Sequence, residues 1–341
     1  MKKMMKRTLA FTLAVSAALL TGCGGGTQST AVSNSKDEPV TLKYSEQNGP
    51  GTFTYEWGMR FIELVNEKTN GTVKIEMYPN NTLSAGSIEA VQTGITDFVQ
   101  MPPSSAADLD PRLGAFDAPY IYEDIEHVKK VFDPRNSQAM DMVNEKLKES
   151  NVFFVGSVHG GARHLTCNSP IYSLSDLKGK KIRVVPSDLY IKLWESFGAA
   201  ATPMAGSEIG TSLLTNVIEG QEQPMSGLMS LKIWELQDYL ITTGHMPANS
   251  GCWMNRKKWD ALSENQQSAI LEAMYEATVE WDDKLHAEEA DDLKFLEDNG
   301  MTIITEADGL KIDEFKTAAN SIYENYKDLW SDMPDVIRGM K

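Results

Sequence analysis

Two arginines occupy strand-like, apolar stretches of the sequence. Arg163 follows an apolar run over residues 152–158, and Arg183 lies within residues 181–185. An arginine in such a place needs acceptors for its guanidinium, and a planar carboxylate satisfies it with two parallel hydrogen bonds. The carboxylate belongs either to a bound ligand or to an internal Asp or Glu. The pattern alone favours the internal ion pair.

Catalytic and metal-binding motifs are missing from the sequence. There is no G-x-S-x-G, no H-E-x-x-H and no phosphate-binding G-x-x-x-x-G-K-[ST]. Cys23, Cys167 and Cys252 lack the spacing of a zinc site. His286 has no second histidine one turn away, so a solvated helix face is the favoured interpretation. We therefore predict no enzyme, no cofactor and no metal.

The charge balance is strongly acidic. Against 48 Asp and Glu stand 32 Lys and Arg, which gives a formal net charge of −16. Such a chain is a poor partner for nucleic acid or an anionic membrane surface, so any anion must be held by a local basic site. A length of 341 residues is enough for about two domains.

The N-terminal residues have the pattern of an exported lipoprotein. Basic residues precede an apolar stretch over residues 8–20, which is too short to span ~30 Å of hydrocarbon. The sequence Leu20-Thr21-Gly22-Cys23 resembles a lipobox, whose cysteine becomes lipid-modified. We predict a signal peptide over 1–22 and a flexible, polar tether over 23–38. The protein is then expected outside the cytoplasm, lipid-anchored to the membrane through Cys23.

Strand and helix patterns alternate along the rest of the chain. Residues 40–45, 73–78 and 97–101 are predicted strands separated by helices, and a second α/β set begins at residue 152. This order predicts parallel sheets with a ligand beyond the carboxyl ends of the strands. Residues 263–299 are a predicted helix of ~55 Å at 1.5 Å per residue, long enough to cross two lobes.

Two lobes are predicted from this order. Residues 39–160 with about 249–288 form the first, and residues 161–248 with about 289–341 form the second. Residues 225–240 are a predicted helix of the second lobe. Cys167 and Cys252 are expected to be free and buried, because a disulfide between the lobes would oppose their closure.

Several motifs resemble, in order, the solute-binding proteins of tripartite ATP-independent periplasmic (TRAP) transporters, the DctP family. The resemblance covers nearly the whole chain from about Val40 and implies a two-lobed, periplasmic-binding-protein-like α/β fold. Each lobe is then a mostly parallel sheet flanked by helices, and a long helix crosses both. The motifs include Lys68-Thr69-Asn70-Gly71, Asp117-Ala118-Pro119-Tyr120, residues 198–204, Ser207-Glu208-Ile209 and Glu219-Gly220-Gln221-Glu222.

The resemblance also implies roles for polar residues of the second lobe. Arg183 matches the family arginine that makes a bidentate contact with the ligand carboxylate. Arg163 matches a position that often adds a second contact. Gln223 stands where the family usually has an asparagine that binds the same carboxylate. Its side chain is one methylene longer, so the same role is expected from a shifted amide position.

Gly206 and Gly210 stand where family members commonly carry large aromatic residues. Two interpretations remain open for these glycines. Either they leave room for a bulkier ligand, or neighbours such as Trp194 and Met229 fill the space.

The first lobe is expected to contribute residues from two strand ends. These are Glu46, Gln47 and Asn48 after the first strand, and residues 101–104 after the third. Glu46 would accept hydrogen bonds from hydroxyl or amino groups of the ligand. The alternative for Glu46 is a solvated residue at the end of a strand.

These observations predict a monomeric binding protein that captures a small organic acid and delivers it to a membrane permease. The resemblance implies a sodium-driven permease with small and large membrane subunits. One alternative is a receptor that feeds a membrane signalling protein, and another is a secreted hydrolase, which the missing motifs disfavour. Dicarboxylates, sugar acids, keto acids and aromatic acids all offer the required carboxylate.

Overall fold

The computed structural model describes residues 37–84 and 86–341. The predicted signal peptide, Cys23 and most of the predicted tether therefore lie outside the described residues. Ten strands are present in the described part of the chain. They are β1 (Val40–Ser45), β2 (Val73–Tyr78), β3 (Phe98–Met101), β4 (Val152–Cys167), β5 (Lys181–Val184), β6 (Ala200–Pro203), β7 (Gly220–Pro224), β8 (Tyr239–Ile241), β9 (Pro247–Asn255) and β10 (Thr302–Ile304).

Twelve α-helices of the described residues connect and cover these strands. They are α1 (Phe53–Lys68), α2 (Ile88–Thr93), α3 (Ile125–Val131), α4 (Gln138–Leu147), α5 (Leu174–Leu177), α6 (Asp188–Ser196), α7 (Ile209–Leu214), α8 (Met225–Ser230), α9 (Arg256–Asp260), α10 (Glu264–Asp298), α11 (Ile312–Trp330) and α12 (Met333–Gly339).

The first sheet has the strand order β2-β1-β3-β9-β4. Strands β1, β2 and β3 are parallel, whereas β9 runs antiparallel to both β3 and β4. Leu42 and Tyr44 of β1 are buried, and the intervening Lys43 is exposed, because successive strand side chains point to opposite faces. Helix α1 covers this sheet with Trp57 and Phe61, whose rings stack at 5.3 Å.

The second sheet is built on the last third of β4. This part of β4 pairs antiparallel with β7 on one side and β8 on the other. Beyond β7, strands β5 and β6 run parallel to each other, and β10 runs parallel to β8. The prediction of a two-lobed α/β fold with mostly parallel sheets is confirmed, and the antiparallel exceptions are the pairings of β4 and β9.

Two elements run through both lobes. Strand β4 changes register between His159 and Ala162, where Gly161 adopts a φ of +87°, and then passes from the first sheet to the second. Helix α10 packs against α1 near its beginning and against α8 and β10 farther along. It begins at a capping box in which the Ser263 hydroxyl accepts from the Gln266 main-chain N–H. The predicted helix crossing both lobes is confirmed, whereas the predicted lobe boundaries stay a prediction.

The prediction of one helix over residues 225–240 is wrong. The segment forms α8, a 3-10 turn over Ile233–Glu235 and strand β8. Lys232 adopts a positive φ of 52°, which ends the helical path, and β8 gains main-chain partners on β4 and β10. The two cysteines are as predicted: Cys167 on the second sheet and Cys252 on the first are both free and buried.

Candidate ligand-binding site

Arg163 is held by an internal carboxylate. Its Nε donates to Glu222 Oε2 at 2.5 Å, and its Nη2 donates to Glu222 Oε1 and to the Glu222 carbonyl, both at 3.0 Å. Both residues are buried. The β4–β7 register places Leu165 opposite Glu222, so Arg163 is the diagonal neighbour of Glu222 on the same face of the sheet. Of the two partners considered for these arginines, Arg163 therefore has the internal carboxylate.

A histidine completes this buried network. His245 Nε2 lies 3.2 Å from Glu222 Oε2, and its Nδ1 lies 2.8 Å from the Thr243 hydroxyl. Burial alone would raise the pKa of Glu222, but Arg163 and His245 outweigh it and lower this pKa to about 2. Burial lowers the pKa of His245, so a neutral ring donates from Nε2 and accepts from Thr243. Glu222 is thus a stable anion whose charge offsets that of Arg163.

Arg183 has no such partner. Its Nε and Nη2 both donate to the Met204 carbonyl, at 3.0 and 2.8 Å, and only 4% of the residue is exposed. Within the described ranges, no Asp or Glu oxygen accepts a hydrogen bond from its guanidinium. Burial lowers the pKa of Arg183, and the positive charge of Arg163 adds to that effect against the attraction of Glu222.

The contact with Met204 decides which edge of the Arg183 guanidinium is free. One carbonyl accepts from Nε and from the nearer hydrogen of Nη2. The second hydrogen of Nη2 and both hydrogens of Nη1 remain, and the Nη1–Nη2 edge offers two parallel N–H groups. That edge has the geometry for a bidentate contact with a carboxylate.

Other polar groups of the second sheet surround the two arginines. The Arg163 guanidinium lies 5.3 Å from the centroid of the Tyr190 ring. Gln221, opposite Arg183 in the β5–β7 register, donates from Nε2 to Thr166 at 2.8 Å, and its buried Oε1 has no partner among the residues described. The neighbouring Gln223 is buried and lies on β7, opposite His164 of β4.

Gly206 borders open space. A Cβ atom built there would meet no heavy atom within 4 Å, and one built at Gly210 would meet Leu236 at 3.9 Å. Neither Trp194 nor Met229 fills these places in the part of the chain that the structure describes. Trp194 instead packs edge-on against His245, with ring centroids 5.0 Å apart.

Glu46 is buried at the end of β1 rather than solvated. Its Oε1 accepts from the Asn48 main chain and the Thr54 hydroxyl, both at 2.9 Å, and Gln100 Nε2 donates to Oε2 at 2.9 Å in the orientation that satisfies its neighbours. Burial raises the pKa of Glu46 against the effect of these hydrogen bonds. Gln47 is exposed and donates to the Gly86 carbonyl at 3.0 Å.

The loop after β3 leads to a buried carboxylate that sequence reasoning missed as a site residue. The Ser104 main chain donates to Asp117 at 2.7 Å, and Asn249 donates to the other carboxylate oxygen at 3.1 Å. Burial raises the pKa of Asp117 to about 6, although Ser104, Asn249 and the charge of Arg163 lower it. Asp117 and Glu222 both lie in the sequence motifs, and the signal that could have singled out Asp117 is a carboxylate inside an apolar segment.

Neither a metal-binding cluster nor the two cavities beside β4 mark the candidate site. Among residues 37–84 and 86–341, no three His, Cys, Asp or Glu side chains converge to hold a metal ion. Two cavities of about 600 and 260 Å³ adjoin β4 at His159 and Ala162, and neither arginine lines them. The hydrogen-bonding geometry of Arg183, rather than cavity size, therefore identifies the candidate site.

Comparison with known proteins identifies the family of this chain. Residues 44–329 match the model of the bacterial extracellular solute-binding proteins, family 7. The chain belongs to this family. It is 32% identical over 276 residues to a solute-binding protein of Roseobacter denitrificans, covering 80% of this chain and 83% of that protein. It is 30% identical over 272 residues to the C4-dicarboxylate-binding periplasmic protein DctP of Rhodobacter capsulatus, covering 78% and 80%.

Solved structures of TRAP periplasmic solute binding proteins share the fold. A TRAP periplasmic solute binding protein of Ochrobactrum anthropi superposes with a TM-score of 0.80 at 24% identity, covering 89% of this chain and 95% of that one. One of Roseobacter denitrificans with bound L-galactonate has a TM-score of 0.74 at 27% identity, covering 89% and 99%. In the described part of this family 7 chain, no helix is long and apolar enough to cross a membrane.

Proposed function

We propose that this family 7 protein captures a small organic acid outside the cytoplasm through Arg183 and delivers it to a TRAP-type membrane permease. One observation carries the proposal: a buried guanidinium whose Nη1–Nη2 edge has no carboxylate partner among the described residues. A cation left buried in this way is costly unless an anion pairs with it. A ligand carboxylate supplies that anion.

The charge of the site favours a ligand with one carboxylate. Glu222 offsets the charge of Arg163, so Arg183 supplies the single uncompensated positive charge of this network. Glu46 and the buried Asp117 would oppose a second carboxylate near the first lobe. We therefore favour a hydroxy acid, such as the L-galactonate of the Roseobacter structure, over the C4-dicarboxylate in the name of the Rhodobacter relative.

The remaining groups have matching roles in this proposal. Gln223 donates to the carboxylate, and Arg163 contributes mainly as the positioned partner of Glu222. Glu46 accepts hydrogen bonds from ligand hydroxyl groups, and Gln47 donates to them. The open space beside Gly206 and Gly210 admits the body of the ligand. Contacts from both lobes would stabilise a closed state, because a ligand shifts a conformational equilibrium by its differential affinity. A monomer anchored through Cys23 would present that state to the small and large membrane subunits.

A thermal-shift screen over monocarboxylic and dicarboxylic acids tests the proposal. A ligand at 100 times its Kd stabilises the protein by ~2.7 kcal/mol, which is readily measured. Arg183→Ala should weaken the best ligand at least ~30-fold, because a lost charge-assisted contact costs about 2 to 5 kcal/mol. Arg256→Ala, which removes a surface arginine paired with Asp260, is the matched control and should bind normally. Unchanged affinity in Arg183→Ala would refute the assignment.

A further inference from the structure

The cavity of about 260 Å³ lies where the two lobes meet, and neither Arg163 nor Arg183 lines it. One wall is the bend of β4 from His159 to His164, and the other is the middle of α10. Residues 282, 285, 289 and 292 of α10 lie three or four positions apart, so they share one face of the helix. Apolar side chains of Met225, Leu285 and Ile125 complete the wall.

Asp282 lines this cavity and has no hydrogen-bond partner in the described chain. Only 2% of the residue is exposed, and neither carboxylate oxygen has a hydrogen-bond partner in the described chain. Buried carboxylates are ordinarily paired or hydrogen-bonded, because leaving one alone costs desolvation free energy. This residue is therefore a buried acceptor that the fold itself does not use.

Further unpartnered atoms lie on the same turn of α10. Thr278 Oγ1 and Trp281 Nε1 are buried and have no hydrogen-bond partner among the described residues. Positions 278, 281 and 282 are neighbours on one helix face. Of these three residues, Asp282 is the one that lines the cavity.

The surroundings of Asp282 supply little positive charge. Lys129 of α3 is the nearby cation, and its Nζ already donates to Glu126 at 3.0 Å and to Asp283 at 3.4 Å. On α10, Glu289 and His286 are exposed at the mouth, and Asp292 is half-buried farther along. The cavity is therefore lined by three carboxylates.

The histidines of β4 do not offset these carboxylates. Burial lowers the pKa of His159 and of His164 to about 4, so both rings are neutral at pH 7. Burial, with Asp283 and Glu126, raises the pKa of Asp282 to about 7, and only Lys129 opposes this. The cavity lacks the cation that its carboxylates need.

We propose that this cavity is a second binding site, which takes a small alkylammonium ion with its charged end on Asp282. Ammonium N–H groups supply the donors that the Asp282 oxygens lack, and an alkyl chain fits the wall formed by Leu285 and Met225. The volume of about 260 Å³ equals about nine waters at ~30 Å³ each, which is room for a short amine rather than a bare ion. A directly coordinated metal is disfavoured, because no three ligands converge among the described residues.

The experiment uses 1,4-diaminobutane as the probe, in calorimetric titration and thermal shift of the full protein. Asp282→Asn keeps the side-chain shape and removes the charge, and Asp283→Asn is the matched control one position along the same helix with an exposed side chain. Asp282→Asn should lower the affinity by about tenfold or more, and Asp283→Asn should leave it near the wild-type value. Glu289→Gln, at the exposed mouth, should cost a smaller factor and serves if Asp282→Asn fails to fold.

Two further readouts separate this site from nonspecific attraction to an acidic protein. Affinity should rise from pH 6 to pH 8, because Asp282 ionises across this range while an amine with a pKa near 10 stays charged. Tetramethylammonium, which has no N–H donor, should bind weakly. Equal binding of diaminobutane by wild type, Asp282→Asn and Glu289→Gln, or no binding by wild type at millimolar probe, would overturn the proposal. None of these outcomes depends on the organic-acid site.

Discussion

Arg163 and Arg183 are alike in type, burial and position on neighbouring parts of one sheet, but the chain treats them differently. Arg163 donates hydrogen bonds to both carboxylate oxygens of Glu222, and Glu222 also contacts His245. Arg183 donates only to the carbonyl of Met204, which occupies one edge of its guanidinium. The charge of a buried arginine is balanced when the fold itself supplies a carboxylate. When the fold supplies only a neutral acceptor along one edge, the guanidinium can still pair with a ligand carboxylate.

This difference separates stability from binding. The Arg163–Glu222 pair is a buried ion pair whose halves depend on each other, so removing one leaves an uncompensated charge. Arg183 leaves no charged partner behind when it is removed. Substitutions at Arg163 should therefore damage the folded state, and substitutions at Arg183 should damage ligand affinity.

Replacing Arg163 tests the first half of this comparison. Arg163→Met should lower the free energy of unfolding by about 3 to 5 kcal/mol, because Glu222 stays buried without its cation. Arg183→Met, the matched variant, should change it by less than about 1 kcal/mol. Denaturant unfolding of the ligand-free proteins measures both. Equal losses in the two variants would mean that Arg183 is also structural.

Acid titration sharpens the same comparison. The pKa of Glu222 falls from an ordinary 4.5 to about 2 in the folded state, so its stabilisation is present above pH 4.5 and is lost as the pH falls toward 2. Over that range the stability difference between wild type and Glu222→Gln should narrow by about 3 kcal/mol. Unfolding curves at pH 5 and at the lowest pH where both variants fold would show it. A constant difference would contradict a charged pair.

The space beside Arg183 gives a smaller effect. Gly206→Phe should weaken ligand binding by about tenfold or more and leave the ligand-free melting temperature unchanged, because a side chain there would enter open space. Gly206→Ala is the conservative control and should preserve both properties. A lowered melting temperature would indicate a filled site, and a variant that keeps full affinity would show that residue 206 does not face the ligand.

Regular, periodic segments of this fold could be predicted from the sequence. Strands β1 and β2 and the long helix α10 follow their hydrophobic patterns closely. Strand β9 was not predicted, because its Pro, Asn, Ser and Gly residues have low strand propensity. It forms because pairing with β3 and β4 buries all of it.

The candidate site was predictable in residue type but not in pairing. The sequence pointed to Arg163 and Arg183 together, and the family resemblance favoured Arg183 as the ligand arginine, but neither showed that Arg163 has an internal carboxylate partner. That distinction depends on the β4–β7 register, which brings Glu222 next to Arg163 from 59 residues away. Burial of Glu46 is likewise a tertiary effect, since Thr54 and Gln100 reach it only once β1, α1 and β3 have packed together.

The most direct test of this account is a calorimetric titration of wild type and Arg183→Lys with the best organic acid from the screen. A lysine keeps the positive charge and cannot present two parallel N–H groups to a carboxylate. We expect Arg183→Lys to bind nearly as weakly as Arg183→Ala. Wild-type affinity in Arg183→Lys would contradict a bidentate contact at the free edge of this guanidinium.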